Sequence, residues 1–306
     1  MSSSTPPERR HARARVGYLG PEGTFSEEAL LASALAGAVT AVPQASIYET
    51  VSELREGRLD WAVVPVENSL DGSVTVTLDL LAEEAGQVRI VGEALLAVRH
   101  SLIGCAEVEL PDITTVLTHP QVPGQCARFL RGELPGARVL PAASTAEAVR
   151  TVVAEGHREQ AALGTALAAE IYGGVLLRDG VQDRDDNQTR FLWLGPGAGG
   201  SQAPMLEARE GRWKTSLVFW GSGAGRPGWL VRCLDEFARR DINLTKIESR
   251  PRRDRLGSYM FFADLTGDAR DARVGEAVDG MAALCEEVRV LGSYREAAAR
   301  DAMAPA

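Results

Sequence analysis

The chain has 306 residues, 45% hydrophobic and 6% aromatic, with 33 basic against 42 acidic side chains and a formal net charge of −9. That length fits about two domains of ~150 residues each, and the acidic balance argues against nucleic acid or an anionic membrane as partner. It leaves room for a small anionic substrate, because a few cations and backbone N–H groups can reverse the field inside one cleft.

Residues 1–14 are polar, basic and Pro-bearing, with no apolar h-region, and read as a disordered extension rather than a signal peptide. No apolar stretch approaches the ~20 residues a spanning helix needs, so a cytoplasmic protein is expected. From residue 15 a strand–helix rhythm sets in. Residues 15–19 read as a strand, and a helix follows Thr24. Ser46 with Glu49 three positions on is a capping-box start, for a helix ending near Gly57. Residues 61–66 read as a buried strand, 73–84 as a helix, 88–102 as extended chain, 114–118 as a strand and 120–131 as a helix. Ser144 with Glu147 opens another helix, followed by strand 160–164, helix 165–172 and strand 175–177. Asp186 to Leu194 passes from polar residues into a short apolar strand, with Thr189 and Arg190 at its mouth. They either hold an anion there or only start the strand. The rhythm predicts an α/β domain with mainly parallel sheets.

Glycine and proline density at 195–204 predicts a flexible linker. Beyond it, strand 213–220, helix 227–240, strands 242–250 and 256–265, helix 269–287 and strand 288–294 make βαββαβ, the ferredoxin-like arrangement. The four cysteines, Cys105, Cys126, Cys233 and Cys285, form no CxxC pair. They fit reduced core thiols better than a zinc or redox motif.

Four stretches can carry chemistry. In GYLGPEGTFSEEAL, from Gly17, a strand ends in a Gly20–Gly23 turn and Thr24 caps a helix. Such a turn aims N–H groups and a helix dipole at a carboxylate or phosphate, or is an ordinary βα turn. Glu67, Asn68 and Ser69 sit at the carboxyl end of a strand, where open α/β sheets bind ligands; the alternative is turn formation by Asn68 and Asp71. Thr118 and Gln125 can share a cleft, and His119 is an acid–base candidate or a hydrogen-bonded structural residue. Asp183, Asp185 and Asp186 lack the glycine and glutamate of an EF-hand and read as a solvated acidic loop. No metal-ligand spacing and no Ser-His-Asp order stands out.

Together GPEGTFS (20–26), PVENS (65–69), THPQ (118–121) with Gln125-Cys126, DNQTRF (186–191) and INLTKIESRP (242–251) resemble the prephenate dehydratase family, in its monofunctional form with a C-terminal ACT regulatory domain. The resemblance covers residues 15–294. It implies a two-lobed catalytic domain like a type II periplasmic binding protein at 15–195. Lobe 1 would be 15–93 plus 176–195, and lobe 2 94–175. A linker (196–212), a ferredoxin-like ACT domain (213–296) and a tail (297–306) would follow. It also implies conversion of prephenate to phenylpyruvate with loss of carbon dioxide and water, without cofactor or metal.

Under that resemblance Thr189 corresponds to the family's essential threonine, a hydrogen-bond donor to the departing oxygen. Gly23, Thr24, Asn68, Ser69, Thr118, Gln125, Arg190 and Phe191 are implied around the substrate. Arg190 pairs alternatively with Asp185 or Asp186, and Phe191 alternatively packs. The ACT half implies inhibition by L-phenylalanine at Gly228, Trp229, Leu230, Asn243, Leu244, Glu248, Ser249 and Arg250, and a homodimer or homotetramer. Trp229 stands where the family has alanine, so it either fills the effector's space or points away. Arogenate as substrate and a non-catalytic amino-acid sensor are the competing readings.

Overall fold

Three sheets organise residues 13–197, 202–206 and 211–297, the residues this computed structural model describes. In chain order the first elements are β1 (Ala14–Leu19), α1 (Phe25–Ser33), β2 (Val39–Gln44), α2 (Ile47–Arg55), β3 (Trp61–Asn68), the two-residue β4 (Gly72–Ser73), α3 (Thr75–Glu83) and β5 (Val88–Ala97). Next come β6 (Ser101–Gly104), β7 (Thr115–Thr118), α4 (Val122–Gln125), α5 (Ala127–Glu133), β8 (Arg138–Pro141), α6 (Thr145–Glu155), β9 (Gln160–Gly164), α7 (Ala166–Tyr172) and β10 (Val175–Arg178). β11 (Gln188–Pro196) then returns to the first sheet, of order β2-β1-β3-β11-β5 with β4 on β3, while the second runs β10-β6-β9-β7-β8. The two sheets with their helices form two lobes.

The caps are those the sequence signals. Ser46 accepts from Glu49 N at 3.0 Å while the Glu49 carboxylate accepts from Ala45 N at 3.0 Å, and Ser144 accepts from Glu147 N at 3.0 Å. The sheets, however, are mixed rather than mainly parallel. β11 comes back from the second lobe and inserts antiparallel between β3 and β5, and β6 is antiparallel to both β9 and β10. β2 and β8 carry no strand signal in the sequence because each contains a proline, Pro43 or Pro141. Both are edge strands, where a missing N–H costs no ladder bond. The helix expected over 120–131 breaks at Cys126 into α4 and α5. Asp183 causes the break: its N–H donates to the Gln125 carbonyl at 2.7 Å and its carboxylate accepts from Arg128 N at 3.0 Å. That part of the acidic loop caps a helix.

The last unit is β12 (Trp213–Trp220), α8 (Trp229–Ala238), β13 (Leu244–Pro251), β14 (Tyr259–Thr266), α9 (Ala272–Ala282) and β15 (Glu287–Arg295), an antiparallel sheet of order β13-β14-β12-β15. One face carries Leu217, Phe219, Ala263 and Leu265 against Trp229, Phe237, Val274 and Met281 of the two helices. The other buries Val218, Trp220, Met260, Phe262, Leu291 and Tyr294 in one cluster with Leu78, Leu81, Leu192 and Leu194 of the first lobe. Gly292 permits this docking: a Cβ there would stand 2.1 Å from the Ile90 carbonyl oxygen. Residues 202–206 of the expected linker are pinned to the first lobe, with Leu35 N donating to Pro204 O at 2.9 Å and Leu206 N to Ser33 O at 2.7 Å. Pro196 of that expectation ends β11 and Gly197 N donates to the Gln87 carbonyl at 2.7 Å, so the linker starts later than expected; its residues 198–201 and 207–210, the expected extension up to residue 12 and the tail from 298 lie outside the described residues.

Glu28 on α1 gives a pH test of this packing. Burial pushes its carboxyl up to about 7. The folded chain therefore holds a proton that the unfolded chain releases near 4.5, and the associated stability is lost as pH rises through that window. Glu28→Gln removes the penalty. Calorimetry should show Tm raised over the parent at pH 8 and a smaller gain at pH 5.5; an equal gain at both would refute the assignment.

Candidate active site

A cleft of about 1350 Å³ separates the two lobes. Strand ends supply Leu19, Asn68 and Thr189 to its wall, and the first turns of α1 (Thr24, Phe25, Ser26), α2 (Ile47), α3 (Thr75, Val76) and α6 (Thr145) open onto it. Each such terminus presents N–H groups and the positive end of a helix dipole. Thr24 caps α1, with Oγ1 accepting from Glu27 N at 3.4 Å. Among the described residues Arg150 is the one lysine or arginine on the wall, and it is held bidentate by Glu147 at 2.7 and 2.9 Å. Glu22, Asp71 and Glu147 also line the wall, so any attraction for an anion comes from the helix-terminal N–H groups rather than from net side-chain charge.

On the wall Asn68, Gln125, Asn187, His100 and Thr189 form one directed network. Gln125 donates to Asp71 at 3.1 Å, and its oxygen accepts from His100 Nε2 at 2.9 Å and from Asn187 Nδ2 at 3.2 Å. The Asn187 oxygen accepts from Asn68 Nδ2 at 2.8 Å, and the same nitrogen donates to Thr189 Oγ1 at 2.9 Å. Asn68 Oδ1 accepts from Leu70 N and Asp71 N, both at 2.9 Å, which fixes which end of the amide is oxygen. A hydroxyl has one proton and two lone pairs. Asn68 occupies a lone pair of Thr189, so the Thr189 proton is left to point elsewhere, and Thr189 lines the cleft. His100 is fully buried, edge-on to Phe25 with ring centroids 5.4 Å apart. Burial lowers its pKa below the ordinary value, against the partial opposition of the Gln125 bond, and so favours the neutral ring.

Thr24, Asn68, Gln125 and Thr189 therefore meet at one cleft, and His119 also lines it. Five other expected substrate contacts do not face it. Gly23 spends its N–H on Glu27 at 2.6 Å and its carbonyl on Thr165 Oγ1 at 2.7 Å, joining the first lobe to α7 of the second. Ser69 clamps the start of β11, accepting from Gln188 N at 3.0 Å. Thr118 is buried and donates to the Leu163 carbonyl at 2.9 Å. Phe191 lies in the first-lobe core beside Val16, Tyr18 and Trp193. Arg190 turns to the opposite face of the sheet and pairs with Asp264 at 2.7 Å, not with Asp185 or Asp186. Burial opposes its charge, but Asp264, Tyr294 and Glu93 together outweigh this and raise its pKa.

In the third unit Trp229 points into the core, its indole N–H donating to the Leu284 carbonyl at 2.8 Å beside Phe219 and Phe261. Gly228 is its left-handed N-cap, Leu230 and Leu244 are half-buried, and Asn243 and Ser249 are exposed. Glu248 and Arg250 face the first lobe instead, Glu248 on Ser73 and Arg250 on Asp79 at 2.9 and 3.1 Å. Alternation along β13 imposes that split. Sequence reasoning missed His100, Asn187, Asp71 as a network member and Arg150. Only Asn187 carried a signal, its place next to Thr189 in DNQTRF.

Gly23 also bears a test. Its φ is +82°, and a Cβ would approach Ala168 Cα to 2.8 Å. Left-handed alanine costs ~1–2 kcal/mol, and the clash ~1–3 kcal/mol more. Gly23→Ala should lower Tm by several degrees in a thermal melt; an unchanged Tm would contradict the close inter-lobe contact.

The chain is similar in sequence and in fold to known proteins. The family model described as "Prephenate dehydratase" matches residues 16–198. A prephenate dehydratase of Mycobacterium sp. (strain JLS) is 40% identical over 302 residues, 95% of this chain and 92% of that protein. The solved prephenate dehydratase of Arthrobacter aurescens in complex with L-Phe is 36% identical with a TM-score of 0.81, covering 94% of this chain and 92% of that one. A solved quorum-quenching acylase is 27% identical, also with a TM-score of 0.81, over 92% of this chain and 98% of its own.

Proposed function

We infer, from the fact that this chain belongs to the prephenate dehydratase family, that its cleft converts prephenate to phenylpyruvate. It is a carbon–oxygen lyase of the aromatic amino-acid pathway. The substrate is a cyclohexadiene dianion with a hydroxyl at C4. The bond from C1 to the ring carboxylate breaks and releases carbon dioxide, its electron pair enters the ring, and the C4–O bond breaks as the ring becomes aromatic. The departing oxygen leaves as water by taking up one proton, which solvent supplies in the net reaction. We assign Thr189 as the hydrogen-bond donor to that oxygen, a bond that strengthens as negative charge grows there. The observation that carries the assignment is the 2.9 Å bond from Asn68, which occupies Thr189 Oγ1 as an acceptor and leaves its proton for the cleft. The first turns of α1 and α6, with Arg150, suit the two carboxylates.

The acylase relative favours no second reading. A hydroxyl nucleophile needs a base that accepts its proton, whereas Asn68 donates to Thr189. The two mixed-sheet lobes are read as a type II periplasmic-binding-protein-like catalytic domain at 15–195, and the βαββαβ unit as an ACT domain at 213–296. The L-Phe complex of the Arthrobacter relative supports L-phenylalanine as effector of this unit, and pairing of ACT domains into a dimer or tetramer belongs to the same proposal. Among the described residues no helix is long and apolar enough to cross a membrane; a cytoplasmic location is proposed on the family's pathway. The test is to incubate the full chain separately with prephenate and arogenate and measure phenylpyruvate and phenylalanine, with and without millimolar L-phenylalanine. Phenylpyruvate formation, reduced by L-phenylalanine, is expected. Turnover of arogenate alone would replace the substrate, and turnover of neither would overturn the reading.

A further inference from the structure

Strand alternation puts two adjacent residue pairs on opposite faces of the β3–β11 ladder. Asn68 and Thr189 are register partners and line the cleft; Glu67 and Arg190 are the next pair along and face the third sheet. Arg190 is 2.7 Å from Asp264 on β14, 3.5 Å from Glu93 on β5 and 3.6 Å from Glu67. Glu67 is 3.1 Å from Lys246 of β13, and Glu93 is 3.0 Å from Lys214 of β12. Glu248 and Glu296 complete the cluster, 3.3 Å from Lys246 and 3.6 Å from Lys214. The other Asp264 oxygen accepts from Ser216 Oγ at 2.5 Å, and that hydroxyl bonds Tyr294 at 2.7 Å. The register of β11 against β3 also shifts between Arg190 and Phe191, leaving Val66 without an opposite residue. A bulge of this kind re-aims the side chains beside it and loosens the ladder that would fix them.

We propose that Arg190 is a positioning residue for the reaction: its pairing with Asp264 fixes the β11 backbone at Thr189, so the seat of the third sheet on the first lobe sets turnover. This rests on Thr189 being the hydrogen-bond donor assigned above. Arg190 faces away from the cleft, so its loss acts on kcat, while the helix termini assigned above to the carboxylates stay in place. A misplacement of about 1 Å at a reacting group costs up to about 100-fold.

Asp264→Asn tests this from outside the cleft, because the amide keeps an acceptor for Arg190 and removes the charge. Steady-state kinetics on the folded variant should show kcat for prephenate down about tenfold with KM within about twofold. Glu67→Gln, whose side chain is more exposed, should show the same split with a smaller loss and serves if Asp264→Asn does not fold. The double variant Arg190→Lys/Asp264→Asn should lose less than the product of the single losses. A folded Asp264→Asn or Glu67→Gln protein with lowered Tm and parental kcat would reduce Arg190 to a domain-docking residue and overturn the proposal. A parent chain that turns over no prephenate would instead overturn the functional reading beneath it.

Discussion

Thr189→Val should lower kcat for prephenate by about 100- to 1000-fold, the usual loss for one aimed donor at a charge that develops in the transition state, while KM and Tm stay close to the parent. Valine has nearly the shape of threonine and the same preference for a strand, so β11 keeps its place between β3 and β5. Asn68 Nδ2 keeps Asn187 Oδ1 at 2.8 Å and the Gln188 carbonyl at 3.3 Å as acceptors, so no buried donor is stranded. The ground-state alcohol of the substrate is neutral and gains little from the Thr189 proton, which is why the loss belongs in kcat. Thr189→Ser keeps the proton and should retain most of the activity. Steady-state kinetics with melts on the same preparations decide the matter: near-parental turnover of a folded Thr189→Val protein would remove Thr189 from the chemistry.

The second large effect is expected at Asn68. Asn68→Ala deletes the donor that occupies a lone pair of Thr189, and also the acceptor for Leu70 N and Asp71 N at 2.9 Å. The Thr189 hydroxyl can then turn its proton to the strand instead of the cleft. A loss of about 10- to 100-fold in kcat should follow, with a lost stability of about 1 kcal/mol from the two turn hydrogen bonds, whose amides water can reach. Asn68 acts through Thr189, so its effect should vanish where Thr189 has already gone. Asn68→Ala/Thr189→Val should be no slower than Thr189→Val alone. Multiplicative losses would mean that Asn68 touches the substrate independently.

Much of this site was legible in the chain because its residues sit at punctuation. Thr24 follows a Gly-Pro-Glu-Gly turn, Asn68 ends an apolar strand, and Thr189 begins one. Carboxyl ends of strands and first turns of helices converge in an α/β fold whatever the long-range pairing. Parity was the part that could not be read. Thr189 and Arg190 are neighbours, yet only one of them can face the cleft. Which one depends on β11 pairing with β3, some 120 positions away in the chain. The same holds for Glu248 and Arg250, which belong with Ser73 and Asp79 rather than with the exposed Ser249 beside them. His100 had no local pattern to betray it, and its role exists only because Gln125 arrives from another element. Pro43 and Pro141 hid two strands because a sequence does not say which strands lie at an edge.

The central claim is that the Thr189 proton, turned outward by Asn68, meets the oxygen that leaves C4. A crystal structure of the full chain with a non-reacting cyclohexadienyl dicarboxylate that retains the C4 hydroxyl tests it most directly. The Thr189 Oγ1 to C4 oxygen distance should be ~2.6–3.0 Å, with the carboxylates at the first turns of α1 and α6. A carboxylate at Thr189 and the C4 oxygen more than ~4 Å away would contradict it.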